Sequence, residues 1–462
     1  MPLAELLPPD STRILTAIAV AAGYIGLCGN AVLGHRRHRR AADPSGAGPP
    51  DAGTLLVVHA SQTGFAEELA RRTAERVAAA GIATRLMPVS ALDAATLAAA
   101  GRALFILSTT GEGDAPDPAA GFARRVLDRP ADLGRLRYGL LALGDRSYRR
   151  FCAFGLAVDD WLGRQGAVPL FPTIEVDDGD PAALERWQAA LAMIGVVSDQ
   201  PAPWVEEAPY RPWRLVERRL LNPGNAGHPA FHLAFQPQDG TTDWVAGDLA
   251  RIAIAAADAD GRTPHRDYSI ASIPADGRLE LLVRLARRPD GTAGLGSGWL
   301  TQQLAIGGTA LLQVRRNAGF HAPDGARPLI LIGNGTGLAG LRAHLKARAA
   351  HGLDRNWLLF GERSRSSDYF HREEIEGWRR SGVIARLDLA FSRDQDERIY
   401  VQHRLRAAAA DLTRWVADGA AILVCGSADG MAPAVHAVLS DVLGAEPLER
   451  LAEDGRYRRD VY

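Results

Sequence analysis

Thr54-Leu55-Leu56-Val57-Val58-His59-Ala60-Ser61-Gln62-Thr63-Gly64-Phe65-Ala66 decides how the first half of the chain folds. Thr54 to Ala60 is short and apolar enough for a strand buried on both faces of a parallel sheet. The turn Ser61 to Ala66 then leads into a helix that starts near Glu67. Short hydroxyl side chains and free N–H groups at a helix N-terminus favour a phosphate. Taken alone, a capped turn with no ligand fits these six residues equally well.

Two more strands of the same kind follow. Ala103–Leu107 runs into Ser108-Thr109-Thr110-Gly111-Glu112-Gly113-Asp114. Tyr138–Leu143 runs into Gly144-Asp145-Arg146-Ser147-Tyr148, with Phe151 and Cys152 close behind. Loops at the carboxyl ends of successive parallel strands converge on one crevice, where open α/β sheets bind ligands. The first loop suits a phosphate. The second and third suit a flat ring, with Tyr148 available to stack on it.

From Ser198 to Pro212 the chain carries four prolines in fifteen residues, which marks a domain boundary. Beyond Trp213, short strands (FHLAF, DLARIAIAA, LELLVRLA, ALLQVRR) are divided by Gly and Pro, the pattern of a small antiparallel barrel. Arg266-Asp267-Tyr268-Ser269 sits on one of them, and Gly294-Leu295-Gly296-Ser297-Gly298 opens a helix soon after. Pro328–Ile332 is another buried strand, followed by Gly333-Asn334-Gly335-Thr336-Gly337-Leu338-Ala339-Gly340. Such glycines let a dinucleotide pyrophosphate approach the backbone at a helix N-terminus.

Taken together, residues 54–462 resemble the NADPH-dependent diflavin reductases. Leu143 to Cys152 and the terminal Arg456-Tyr457-Arg458-Arg459-Asp460-Val461-Tyr462 are most similar to the sulfite reductase flavoprotein branch. The resemblance implies FMN on Ser61, Gln62, Thr63, Gly64, Phe65, Ala66, Ser108, Thr109, Thr110, Gly111, Leu143, Gly144, Asp145, Tyr148, Phe151 and Cys152. It implies FAD on Arg266, Asp267, Tyr268, Ser269, Gly294, Gly296 and Ser297. NADPH falls to Gly335, Thr336 and Gly337, with Ser392, Arg393, Arg398, Tyr400 and Gln402 around its 2′-phosphate. Ser269, Cys425, Asp460 and Tyr462 are the expected catalytic group, with Tyr462 over the FAD ring. A metal site is not expected. Electrons would pass from NADPH through FAD and FMN to a haem or metal centre on a partner, and no nucleic acid is involved.

Several positions depart from the family. Phe65 and Thr110 stand where relatives carry other residues near FMN. Gly340 replaces a common Pro, and Ser427 and Ala434 replace Asp. These losses keep open a non-enzymatic carrier or scaffold subunit with an impaired nicotinamide site, and a ferric-siderophore reductase partner is a further alternative. The family also inserts a helical connecting domain into the barrel, but only 53 residues separate Trp213 from Arg266. Glu112, Asp114, Asp117, Asp177, Asp178 and Asp180 form an acidic rim that either guides a basic acceptor or is simply solvated.

Composition bounds the rest. At 462 residues the chain has room for about three domains. A formal net charge of −1 excludes a global basic field. Lys346 is the only lysine, which reads as coding bias. Cys28, Cys152 and Cys425 form no CxxC pair, so neither a disulfide framework nor a zinc site is expected. Ile14–Leu33 carries no charge and is followed by His35-Arg36-Arg37-His38-Arg39-Arg40. That order favours an uncleaved single-pass anchor in the inner membrane with the remainder in the cytoplasm; a cleaved signal peptide and a partner-binding helix are the rivals. The expected fold is a multidomain α/β protein. It has an anchor (1–40), a linker (41–53), a flavodoxin-like doubly wound parallel sheet (54–197) and a second linker (198–212). A ferredoxin-reductase-like antiparallel β-barrel (213–325) and a nucleotide-binding α/β domain (326–462) complete it.

Overall fold

A computed structural model describes residues 53–462 except 112, 147, 197–203, 205–207, 226, 255–263 and 324. The expected anchor, its tether up to residue 52 and much of the second linker lie outside the described residues. Among the described residues, no helix is long and apolar enough to cross a membrane.

The first sheet is parallel. Its strands are β1 (Leu55–Ala60), β2 (Thr84–Pro88), β3 (Arg102–Ser108), β4 (Arg137–Gly144), β5 (Val168–Pro169) and β6 (Ile174–Asp177), in the order β2-β1-β3-β4-β5 with β6 also on β4. Alternate side chains of β1 enter two separate cores. Leu55 and Val57 pack with Leu69, Trp187 and Leu191, whereas Leu56 and Val58 pack with Phe122, Val158 and Trp161. Helices therefore cover both faces, which is why β1 reads as a continuous apolar run. The ligand-binding end is left to the three loops.

The second sheet is antiparallel: β7 (Arg211–Leu220), β8 (Ala230–Pro237), β9 (Leu249–Ala253), β10 (His265–Ser269), β11 (Leu279–Arg284) and β12 (Thr309–Arg315), ordered β10-β9-β12-β7-β8-β11. A bridge between Ile270 and Leu281 joins the two outer strands and closes the barrel. Closure removes the free edges. Trp213, Leu233, Phe235, Ile252 and Leu312 fill its interior. β7 starts at Arg211, two residues before the expected boundary.

The third sheet is parallel, with β13 (Leu329–Asn334), β14 (Asn356–Glu362), β15 (Ile384–Phe391), β16 (Ala421–Gly426) and β17 (Tyr457–Val461) in the order β15-β14-β13-β16-β17. The C-terminal residues are thus an edge strand of this sheet.

The flavodoxin-like sheet is seated against the other two units, an arrangement the sequence did not disclose. Asp178 pairs with Arg251 at 3.1 Å and with His265 at 3.0 Å. Arg124 and Arg125 meet Glu449 and Glu453. A Cβ on Gly319 would lie 1.5 Å from the Gln62 carbonyl oxygen, so only glycine allows this approach. Barrel and nucleotide-binding unit are joined by Arg342, which reaches Glu280, Glu374 and the Ala271 carbonyl oxygen.

Candidate functional site

The first loop is held by Ser61, whose Oγ accepts N–H groups of Gly64 (2.9 Å) and Ala66 (3.2 Å). Gly64 has φ +97°, a left-handed conformation that turns the chain into the helix Phe65–Ala79. Phe65 packs beside the Gly179 turn, which puts its bulk against a neighbouring loop. Thr109 ties the second loop to the third: its N–H donates to the Leu143 carbonyl oxygen, and its Oγ1 accepts from Phe154 N. Thr110 faces Asp114 across a tight turn at Gly111 and Gly113, and its buried Oγ1 has no protein partner. Tyr148 is 45% exposed. A tight turn at a helix start, an orphaned hydroxyl and an accessible ring thus stand at the ends of β1, β3 and β4.

Three side chains expected at this site are engaged elsewhere. Gln62 turns to Asp117, exchanging hydrogen bonds of 3.0 and 2.9 Å. Cys152 is buried and its Sγ donates to the Ala142 carbonyl oxygen, so it packs the base of the loop; burial pushes its thiol up to about 12. Phe151 lies under the Arg146 guanidinium at 4.2 Å. The acidic rim is likewise partly consumed, because Asp117 and Asp178 face the protein's own arginines instead of an incoming partner.

On the barrel, Arg266 and Tyr268 close on Gly296. A Cβ there would meet Arg266 Cγ at 2.8 Å and the Tyr268 hydroxyl at 3.0 Å, so the two expected flavin loops do converge. Ser297 Oγ accepts the Ala286 N–H at 3.0 Å and fixes the helix start. Asp267 differs from expectation: its carboxylate is committed to Arg251 (2.9 Å) and Arg315 (2.7 Å), which leaves it as a barrel brace.

Ser269, Cys425 and Asp460 come together from β10, β16 and β17. Ser269 Oγ donates to Asp460 Oδ2 at 2.6 Å, and Cys425 Sγ lies 3.6 Å from the same oxygen. Burial raises both acids, the Cys425 thiol strongly and the Asp460 carboxyl above its usual range. Gly340 makes room for this group, since a Cβ would sit 3.0 Å from Phe320 and 3.3 Å from Cys425 Sγ.

Beside the cluster opens a cavity of about 610 Å³, lined in part by Gly335, Thr336, Ser392, Arg393, Tyr400 and Gln402. Tyr462 stands at it, 56% exposed, with its hydroxyl 3.4 Å from Thr336 Oγ1 and its backbone bonded to Gly426 and Ala428. Gly337 is not in the lining; it lets the helix Leu338–Ala350 approach the Cys425 carbonyl, where a Cβ would come within 2.1 Å. Arg398 is exposed and outside the lining. Sequence reasoning missed Arg284, Glu362 and Arg363. Arg284 and Glu362 form an ion pair inside the cavity, and burial raises the Glu362 carboxyl despite that arginine. Their signal was position, a charged residue at the end of an apolar strand.

Fold and site define an oxidoreductase that joins a flavodoxin domain to a nucleotide-binding domain. The flavodoxin family pattern matches residues 57–187, and the oxidoreductase NAD-binding domain pattern matches residues 331–437. The chain is similar throughout to proteins named sulfite reductase [NADPH] flavoprotein alpha-component. That of Vibrio parahaemolyticus is 28% identical over 89% of this chain and 87% of its own length. That of Neisseria meningitidis serogroup C is 28% identical over 99% of this chain and 98% of its own. The first alignment runs over 543 positions, more than the 462 residues available here, so the relative carries sequence with no counterpart in this chain.

Proposed function

We propose that this protein is an NADPH-dependent diflavin oxidoreductase that accepts hydride at the Ser269–Cys425–Asp460 cluster and delivers electrons from the flavodoxin half to a haem or metal centre on a partner protein. The observation that carries the reading is the cluster itself: three polar side chains from three separate strands, gathered next to a nucleotide-sized cavity.

Each half has a defined task. Gly335 and Thr336 would take the pyrophosphate at the start of their helix, while Ser392 and Arg393 would take the 2′-phosphate. Arg266 and the loop at Gly294, Gly296 and Ser297 would hold the FAD phosphates, and Tyr268 would lie along its ring. Ser61 to Ala66 would hold the FMN phosphate, with Thr110 and Tyr148 at the ring. When bound, the two flavins supply hydride acceptance and one-electron release. The protein orients donor and acceptor, and Ser269 and Asp460 fix a hydrogen-bonded proton beside the point of transfer. Tyr462 must swing away from that point before a nicotinamide enters.

The acceptor is a haem or metal protein, for which the hemoprotein partner of sulfite reductase is one candidate class. Residues 14–33 would tether the enzyme to the cytoplasmic face of the inner membrane, which favours an acceptor in or near that membrane. The carrier-subunit alternative rests on Gly340, Ser427 and Ala434, and the intact cluster around Gly340 speaks against it.

Flavin content with anaerobic NADPH titration tests the reading. One FMN and one FAD per chain, both bleached by NADPH, is the expected result. FAD alone would reduce the first half to a docking module, and bound flavins that NADPH leaves oxidised would favour the carrier subunit.

A further inference from the structure

Three consecutive side chains of β17 reach three different places. Arg458 donates to the carbonyl oxygens of Ala318 (2.8 Å) and His321 (2.6 Å), and so holds the turn whose Gly319 is seated on Gln62. Asp460 holds Ser269 and lies beside Cys425. Arg459, pointing the other way as strand alternation requires, crosses to the flavodoxin half. It grips Asp117 with both arms, Nε to Oδ2 at 2.8 Å and Nη2 to Oδ1.

Asp117 is only 9% exposed and follows the second flavin loop. Gln62, from the first loop, closes the node: its Nε2 donates to Asp117 Oδ2 at 3.0 Å and to the Arg459 carbonyl oxygen at 3.3 Å. A two-armed arginine–carboxylate pair fixes orientation as well as distance. The pairs of Arg124 and Arg125 with Glu449 and Glu453 leave both arginines nearly half exposed, against 23% for Arg459, so they fix the interface less firmly.

Resting on the diflavin reading above, we propose that Arg459 is the positioning residue that holds the flavodoxin half in register for electron transfer between the two flavins. It acts through Asp117 and Gln62, from the same strand that builds the hydride site. The two electrons of each hydride cross one at a time, and no bond is made or broken at the interface. Docking and hydride acceptance are mechanically joined, because Arg459 and Asp460 are neighbours on one edge strand.

Stopped-flow reduction by NADPH, following FAD and FMN separately in the full chain loaded with both flavins, tests this. Arg459→Gln should slow electron arrival at FMN by about tenfold or more, as removal of one partner from a buried charge pair does. FAD bleaching should stay within about twofold of wild type, since the reacting cluster is untouched. Asp117→Asn, which leaves β17 intact, should give the same split, and Arg459→Lys or the swap Asp117→Arg with Arg459→Asp should restore part of the rate. Arrival at FMN that is unchanged in both single variants would overturn the proposal, as would a swap no better than Asp117→Asn alone. Wild-type protein in which FMN is absent or never reduced would overturn the diflavin reading itself, whatever the variants do.

Discussion

Asp460 Oδ2 accepts the Ser269 hydroxyl hydrogen at 2.6 Å, joining the third residue from the C-terminus to a barrel strand 191 positions earlier. The contact ties the C-terminal strand to the Ser269–Cys425–Asp460 cluster. Asp460→Asn should slow flavin reduction by about 100-fold, the lower end of what a positioned acid or base contributes. The Michaelis constant for NADPH should hold within about twofold, because Asp460 is remote from the phosphate-binding residues. Burial raises the Asp460 carboxyl, so its protonation falls above the ordinary aspartate range of about 4. The wild-type rate should therefore decline on that acid limb, and the decline should vanish in Asp460→Asn. A raised carboxyl also opposes folding at neutral pH. The variant should accordingly melt no lower than wild type while reacting more slowly.

Asp178 has the opposite sign. Burial alone would raise its carboxyl, but the His265 hydrogen bond and the Arg251 charge outweigh that and hold it at about 2. A value below that of the unfolded chain stabilises above about 4 and is lost as pH falls towards 2. Asp178→Asn should lower the denaturation midpoint at pH 7, and the gap to wild type should close over that acid window. A gap that persists unchanged at the low end would mean the pair does not contribute as charges.

Burial of Arg342 gives a third test, at the junction of barrel and nucleotide-binding unit. Its side chain is 6% exposed, Glu280 is 2% exposed, and the guanidinium also holds the Ala271 carbonyl two residues beyond Ser269. Replacing it with Leu takes from Glu280 its buried cation and leaves Arg278, 2.8 Å away and more exposed, to balance the carboxylate. The cost should fall below the roughly 3–5 kcal/mol of a buried pair that loses its one partner, because Arg278 remains. Adding Glu280→Gln to Arg342→Leu should recover part of it, because the stranded charge is then removed. Chemical denaturation of the two variants reads both effects.

How far the sequence carried depended on whether a residue's role was local. β1, β3, β4 and the turns that follow them are continuous in sequence, and their unbroken apolar runs announced a parallel sheet with one ligand-binding end. The convergence of Arg266 and Tyr268 on Gly296 was legible through motif resemblance. The fate of polar side chains was not, since Gln62 and Asp267 looked like ligands until the groups that claim them, Asp117 for the first and Arg251 and Arg315 for the second, were placed nearby by tertiary contacts. The docking of the halves was illegible for the same reason. It depends on Gly319 and Gln62, which lie 257 positions apart and carry no shared pattern. The charged ends of β11 and β14 were visible as residues, but not as a pair.

Discrimination between NADPH and NADH should rest on Arg393, because its backbone is fixed. Ser392 N donates to Glu362 O at 2.9 Å and Arg393 N to Arg363 O at 2.8 Å, so the guanidinium is launched from a rigid point at the rim of the cavity. A hydrogen bond between charged groups contributes about 1.5–3 kcal/mol, or roughly 10- to 100-fold in binding. Arg393→Ala should raise the Michaelis constant for NADPH by about that factor and leave NADH within about twofold, since NADH has no 2′-phosphate to lose. Arg363 stands on the same rim and supplies a second cation, so the single variant should keep some preference. Adding Arg363→Ala should erase it. Equal effects on both nucleotides would show that Arg393 shapes the cavity without reading the phosphate, and would move the source of specificity to Ser392 and Tyr400.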